Sequence, residues 1–117
     1  MHEFSLMQEA AAIAVAAARE HGLARVSEVR LAVGRLSGVS VDALHYAWDF
    51  LRTTDTLLST AQLLIEQPTG HGECDGCGFS GEVTEVLPVC PSCHAFGLRL
   101  SGGRQFDVLG LSGDAAD

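Results

Sequence analysis

Near the start of the chain, apolar positions recur at a helical spacing. Leu6, Ala10, Ile13, Ala14 and Ala17 fall on one face of a 3.6-residue period. Ser5 is a good N-cap, and Gln8 three residues later completes a capping-box pattern. Gly22 supplies a C-terminal stop, with His21 in the last turn. This predicts a first helix over residues 5–21. Val29, Leu31 and Val33 then alternate with Glu28, Arg30 and Ala32, the pattern of a half-buried strand. Residues 34–38 form a turn-rich break. Ser40 is placed to cap a second helix, with Asp42 favourable in its first turn. Leu44, Ala47, Trp48 and Leu51 share that helix's apolar face. Residues 53–60 are polar and read as a connector, and residues 63–66 as a short strand ended by Pro68 and Gly70.

Beyond residue 70 the pattern changes. Glycine, cysteine and proline dominate to about residue 97, with no long periodic segment. Leu98 and Leu100 suit a strand leaving this stretch. Gly102-Gly103 is a turn, and Phe106 and Val108 alternate with Gln105 and Asp107 in a last strand that returns to the first part. Residues 113–117 read as a frayed tail. The expected organisation is α+β: two helices on a small, about three-stranded mixed sheet (1–69 plus 98–117), with a four-cysteine zinc-binding domain inserted at 70–97.

Composition narrows the function. The 117 residues carry a net charge of −8, and all seven basic residues are arginines, scattered along the chain. Phosphate binding needs a concentrated basic face, so nucleic acid is not expected as a partner. An acidic surface suits cations or a basic protein partner. The wholly apolar run at residues 10–18 is far shorter than the roughly 20 residues of a membrane span. It follows Glu3 and Glu9 rather than the positive segment of a secretory leader. Neither membrane nor export is expected, and the reading is cytoplasmic. In a reducing compartment, paired cysteines favour metal over disulfides.

Cys74, Cys77, Cys90 and Cys93 make two Cys-x2-Cys knuckles separated by twelve residues. Two intervening residues let the backbone turn and aim both sulfurs at one ion. Gly76 and Gly78 relax the first knuckle, and Pro91 stiffens the second. Zinc suits four such ligands, and the stretch has too few large apolar residues to fold without metal. Four protein ligands also leave no open position for a substrate. A rubredoxin-like iron site uses the same ligand count. His71, Glu73, Pro88, Cys90 and Cys93 loosely parallel the zinc-deaminase signature, but Val89 interrupts it and Cys74 and Cys77 would be idle. His71 and His94 flank the knuckles. They read as exposed loop histidines, with an outer-shell or substitute-ligand role as the sharper alternative.

The chain opens Met1-His2-Glu3. The Met1 α-amine, the His2 amide nitrogen and the His2 imidazole can close adjacent chelate rings. That nitrogen-rich planar set suits Ni(II) or Cu(II), and Glu3 can fill another position. No H-E-x-x-H follows, and no P-loop motif or lysine exists, so neither a metalloprotease nor a P-loop GTPase is expected.

Three features together carry a resemblance. Met1-His2-Glu3, the segment Val29-Arg30-Leu31-Ala32-Val33-Gly34-Arg35-Leu36-Ser37-Gly38-Val39, and the cysteine spacing are similar to the HypA/HybF family over essentially the whole chain. The resemblance implies a non-enzymatic nickel metallochaperone for [NiFe]-hydrogenase maturation. It implies nickel at His2 with Met1 and Glu3 nearby, and a structural zinc that takes part in nickel sensing. It also implies a HypB-type GTPase and the hydrogenase large subunit as partners, with urease maturation proteins served by some members. Some relatives have a carboxylate beside the nickel site where this chain has Ser40, with Asp42 the nearest acid. Monomer and homodimer both stay open. The rival reading is a zinc-ribbon interaction module without a second metal site.

Overall fold

The structure is a computed structural model, and it describes residues 2–87 and 89–116. The chain divides into two compact units. One comprises Met1–Ala32, Val39–Glu66 and Asp107–Asp117; the other comprises Val33–Gly38 and Gln67–Phe106.

In the first unit, helix α1 spans His2–Glu20, strand β1 Leu23–Val33, helix α2 Val41–Leu51 and strand β2 Gln62–Glu66. Strands β1 and β2 pair in parallel, Glu28 opposite Gln62 through Ala32 opposite Glu66. Parallel neighbours need a crossover, and α2 supplies it. A final strand, Phe106–Ala115, joins the other edge of β1. Its partners run in reverse order: the Ser27 hydroxyl donates to the Ser112 carbonyl, and Ala116 N–H donates to the Gly22 carbonyl. The sheet is therefore mixed, as expected. Met7, Ala10, Ala14 and Ala18 of α1, Leu44, Trp48 and Leu51 of α2, and Val26, Val29 and Leu31 of β1 are buried. Trp48 also satisfies its indole N–H on the Ala61 carbonyl at 3.3 Å, as a buried tryptophan must.

Three sequence expectations need correction here. Helix α1 begins at His2, not Ser5, so Ser5 lies inside the first turn rather than capping it. Tertiary contacts secure that extra turn: the Phe4 and Phe50 rings lie 6.1 Å apart, and Glu3 reaches Ser40. The buried face of α1 is Met7-Ala10-Ala11-Ala14-Ala18, with Ile13 exposed. A run that is apolar all round cannot reveal its inward face by periodicity. Residues 113–115 are strand rather than frayed tail; a Cβ at Gly113 would sit 2.1 Å from the Arg25 carbonyl oxygen, so the two backbones meet closely. Asp117 lies outside the described residues.

The second unit is an antiparallel sheet in which Gly70–Cys74 is central, flanked by Ser80–Val83 and Leu98–Gly102. We number these strands β3, β4 and β5, and Phe106–Ala115 β6. The inward positions of β3 are Gly70, Gly72 and Cys74. Neighbours fill the space above the glycines: a Cβ at Gly70 would meet Leu36 Cδ1 at 2.2 Å, and one at Gly72 would meet Val83 Cγ2 at 2.8 Å. The segment 33–38 is stitched in by backbone bonds, Gly34 N–H to Gln105, Arg35 N–H to Pro68 and Leu36 N–H to Gly103.

Candidate metal centre

Cys74 ends β3, and Cys77 closes the turn that leads into β4. Cys90 and Cys93 sit on the connection between β4 and β5. The fold brings all four sulfurs within 4.8 Å of one another. Cys74 and Cys93 Sγ are 3.8 Å apart, and Cys77 and Cys90 Sγ 3.7 Å. With Zn–S near 2.3 Å, the edge of a tetrahedral ZnS4 unit is about 3.8 Å. The donor set fits zinc, and all four thiols are free.

The two knuckles are built alike. In the first, Gly78 N–H donates to the Cys74 carbonyl at 3.0 Å, and Cys74 N–H donates to Phe79 at 2.9 Å. In the second, His94 N–H donates to Cys90 and Cys90 N–H to Ala95, both at 2.9 Å. Gly78 and His94 occupy the same place in the repeat, and both are left-handed, with φ 79° and 63°. Only glycine adopts that conformation without cost, although histidine is among the residues that tolerate it. Gly76 is different: its φ is ordinary, and an added Cβ would meet only Cys74 Sγ, at 3.7 Å. Of the two glycines expected to relax the first knuckle, Gly78 is the one the backbone requires.

Electrostatically Cys90 and Cys93 differ. Burial raises Cys90, but the N–H groups of Cys93 and Ser92 outweigh it and bring it down to about 7. Cys93 is lowered by the Ala95 N–H, yet burial and the neighbouring sulfurs carry it up to about 11. One thiol is thus ready to ionise while its neighbour holds its proton, and a dication would displace the remaining protons. Arg99 braces the first knuckle: its Nε and Nη2 grip the Asp75 carboxylate at 3.3 and 3.0 Å, and Nη2 reaches Glu73 at 3.3 Å. Asp75, then Glu73, hold the Arg99 guanidinium above its ordinary pKa.

His71 belongs to the outward positions of β3, on the face opposite Cys74. Its Nε2 lies 3.0 Å from Ser80 Oγ and 3.6 Å from Glu73. His94 is exposed, and among the described residues the only group of metal-type ligands is the four cysteines. The deaminase-like Pro88 lies outside the described residues.

At the other end of the chain, Met1 also lies outside the described residues. His2 is exposed at the start of α1. The Glu3 carboxylate accepts the Ser40 backbone N–H at 3.0 Å, and that bond is the main reason its pKa is lowered. Ser40 is the observed N-cap of α2, its hydroxyl accepting from Ala43 N–H at 3.2 Å. In a complete capping box, the third helical residue would return a carboxylate to the N-cap N–H. Here that residue is Ala43, and Glu3 supplies the carboxylate from α1 instead. Asp42 is exposed in the first turn of α2. The Ser40 N–H was missed as a partner of the opening tripeptide. The alanine at the third position of α2 was the available signal, since it leaves the cap one acceptor short.

Comparison with known proteins agrees with this construction. Residues 1–112 match the family model described as hydrogenase/urease nickel incorporation, metallochaperone, hypA. The hydrogenase maturation factor HypA of Geobacter metallireducens is 40% identical over 111 residues, 95% of this chain and 97% of that protein. HybF of Morganella morganii is 36% identical, covering 97% of this chain and all of that one. The solution structure of the Ni metallochaperone HypA from Helicobacter pylori superposes with a TM-score of 0.68 at 20% identity, covering 97% of this chain and 98% of that one. The chain belongs to the HypA family of nickel-incorporation metallochaperones, maturation factors for hydrogenase and urease.

Proposed function

We propose that this chain carries Ni(II) at its opening tripeptide and hands it on for [NiFe]-hydrogenase maturation, while the four cysteines hold a structural zinc. The His2 imidazole and amide nitrogen, with the Met1 α-amine, form the nitrogen-rich chelate, and Glu3 supports it. The amide at the start of a helix has no intrahelical partner, so it is free to serve a metal. The single observation that carries this reading is the Glu3–Ser40 bond at 3.0 Å. It ties the first turn of α1 to the start of α2 and gives His2 a defined base. Ligand exchange, rather than bond-making catalysis, is the chemistry. The first unit is the nickel-carrying part, and the second, which holds the four cysteines, is the zinc-binding part. The setting is the cytoplasm. A HypB-type GTPase supplies nucleotide energy, the hydrogenase large subunit receives the metal, and urease maturation proteins are a further class of recipient.

The test is metal content after equilibrium dialysis against Ni(II). His2→Ala is expected to keep its zinc and lose the nickel. Retention of nickel by His2→Ala would refute the assignment.

A further inference from the structure

Helix α2 is apolar on two sides. Leu44, Ala47, Trp48 and Leu51 face the core, yet Tyr46 and Phe50 stand outward, 80% and 59% exposed. They are one helical turn apart and therefore on one stripe. With Phe4, whose ring lies 6.1 Å from that of Phe50, they line an open groove of about 660 Å³ completed by Ala43, Ala47 and Asp49. The Phe4–Phe50 contact steadies the first turn of α1, but it leaves Tyr46 and the open side of Phe50 bare to solvent. Aromatic residues concentrated in this way mark contact surfaces.

Charge says what kind of partner fits. The charged lining residue is Asp49. Asp42 precedes Ala43 and Glu3 precedes Phe4, so acids also flank the groove in sequence. The nearby base, Arg52, leans on Asp49 at 3.6 Å. A second copy of this chain, also at net charge −8, would bring like charges together. The groove is also small against the roughly 20–30 residues a side of a stable interface. Both points disfavour a self-dimer through this face.

We propose that the Phe4–Tyr46–Phe50 groove docks an amphipathic helix of a partner protein, its apolar stripe flanked by Lys or Arg. Helix-in-groove recognition reads such stripes at i, i+3 and i+4. The docking face is contiguous in sequence with His2, so a partner seated there lies beside the start of the chain. The inference goes beyond the metal sites and needs no nickel.

The experiment is an NMR titration of the ¹⁵N-labelled, zinc-loaded full chain without nickel. The probes are three designed helical peptides: a leucine stripe flanked by Lys/Arg, the same stripe flanked by Glu, and the Lys/Arg peptide with serine in the stripe. Only the first is expected to shift the amides of Phe4 and of residues 43–50 saturably, more weakly as salt rises from about 0.05 M to about 0.5 M. Tyr46→Ser/Phe50→Ser should weaken it about tenfold or more while distant amides keep their positions. Equal binding by either control peptide, shifts centred elsewhere, or unchanged affinity in the double variant would overturn the proposal. So would the same shifts appearing without peptide as protein concentration rises, which would make a second copy the occupant.

Discussion

The Glu3 carboxylate closes the cap of a helix to which it does not belong, accepting the Ser40 N–H at 3.0 Å. The Ser40 side chain caps that same helix from within, on Ala43 N–H. Two residues far apart in sequence thus share the work that a capping box does locally.

That relationship predicts a pH signature. The Glu3 pKa is lowered in the folded chain, so its contribution is present above the ordinary carboxylate pKa and is lost as pH falls through the folded value. Glu3→Gln should be less stable than the wild type at neutral pH, and the gap should close as the medium is acidified below about pH 4. Urea unfolding of both proteins at matched pH measures the gap. A difference that stays constant with pH would mean Glu3 acts by packing alone. Ser40→Ala should separately cost about 1 kcal/mol by removing the side-chain cap.

The knuckle repeat predicts opposite responses at equivalent positions. Gly78 has φ 79° with open space around it, so Gly78→Ala meets backbone strain and nothing else. A cost of about 1–2 kcal/mol follows, read as roughly ten-fold weaker zinc retention in chelator competition. His94→Gly should relieve the corresponding strain at φ 63° and retain zinc at least as well as the wild type. Loss of zinc in His94→Gly would instead assign its imidazole to the metal.

Metal removal should act unequally on the two units. Among the described residues the buried side chains of the second unit are few, chiefly Leu36, Val83 and the two inner cysteines, with Val33 at its edge. Binding free energy at a structural zinc is folding free energy, on the order of 10 kcal/mol in small zinc peptides. Chelation should therefore strip hydrogen-exchange protection from β3, β4 and β5 while β2 and α2 keep theirs. Uniform loss across the chain would show that the first unit cannot stand without the second.

What could be read from the sequence follows where the signal is local. The cysteine spacing, the Ser40 cap, the Leu44-Ala47-Trp48-Leu51 face and the inward set Val29, Leu31 and Val33 survive as read, but Ala32, expected to alternate outward, is buried as well. Of the second sheet only β5 was legible, from Leu98 and Leu100; its centre was not, because two of the three inward positions of β3 are Gly70 and Gly72, which carry no apolar side chain for a periodicity to register. Its space is filled from Leu36 and Val83, distant in sequence. The start of α1 was hidden for a related reason. Its first turn is held by Phe50 and Ser40, whereas Ser5 and Gln8 offered a local pattern that tertiary contacts override. The kinship of Gly78 and His94 needed backbone angles, since the two residue types share nothing in composition.

Nickel held at the start of the chain is the property on which the proposed carrier role depends. The direct measurement is calorimetric titration of Ni(II) into zinc-loaded, untagged protein, and into the same protein carrying a Gly-Ser extension ahead of Met1. The untagged chain should take up nickel specifically. The extension blocks the α-amine without touching the fold, and it should weaken binding by about a hundred-fold or more, roughly 2.7 kcal/mol, with zinc content unchanged. Equal nickel affinity in the two proteins would contradict the account.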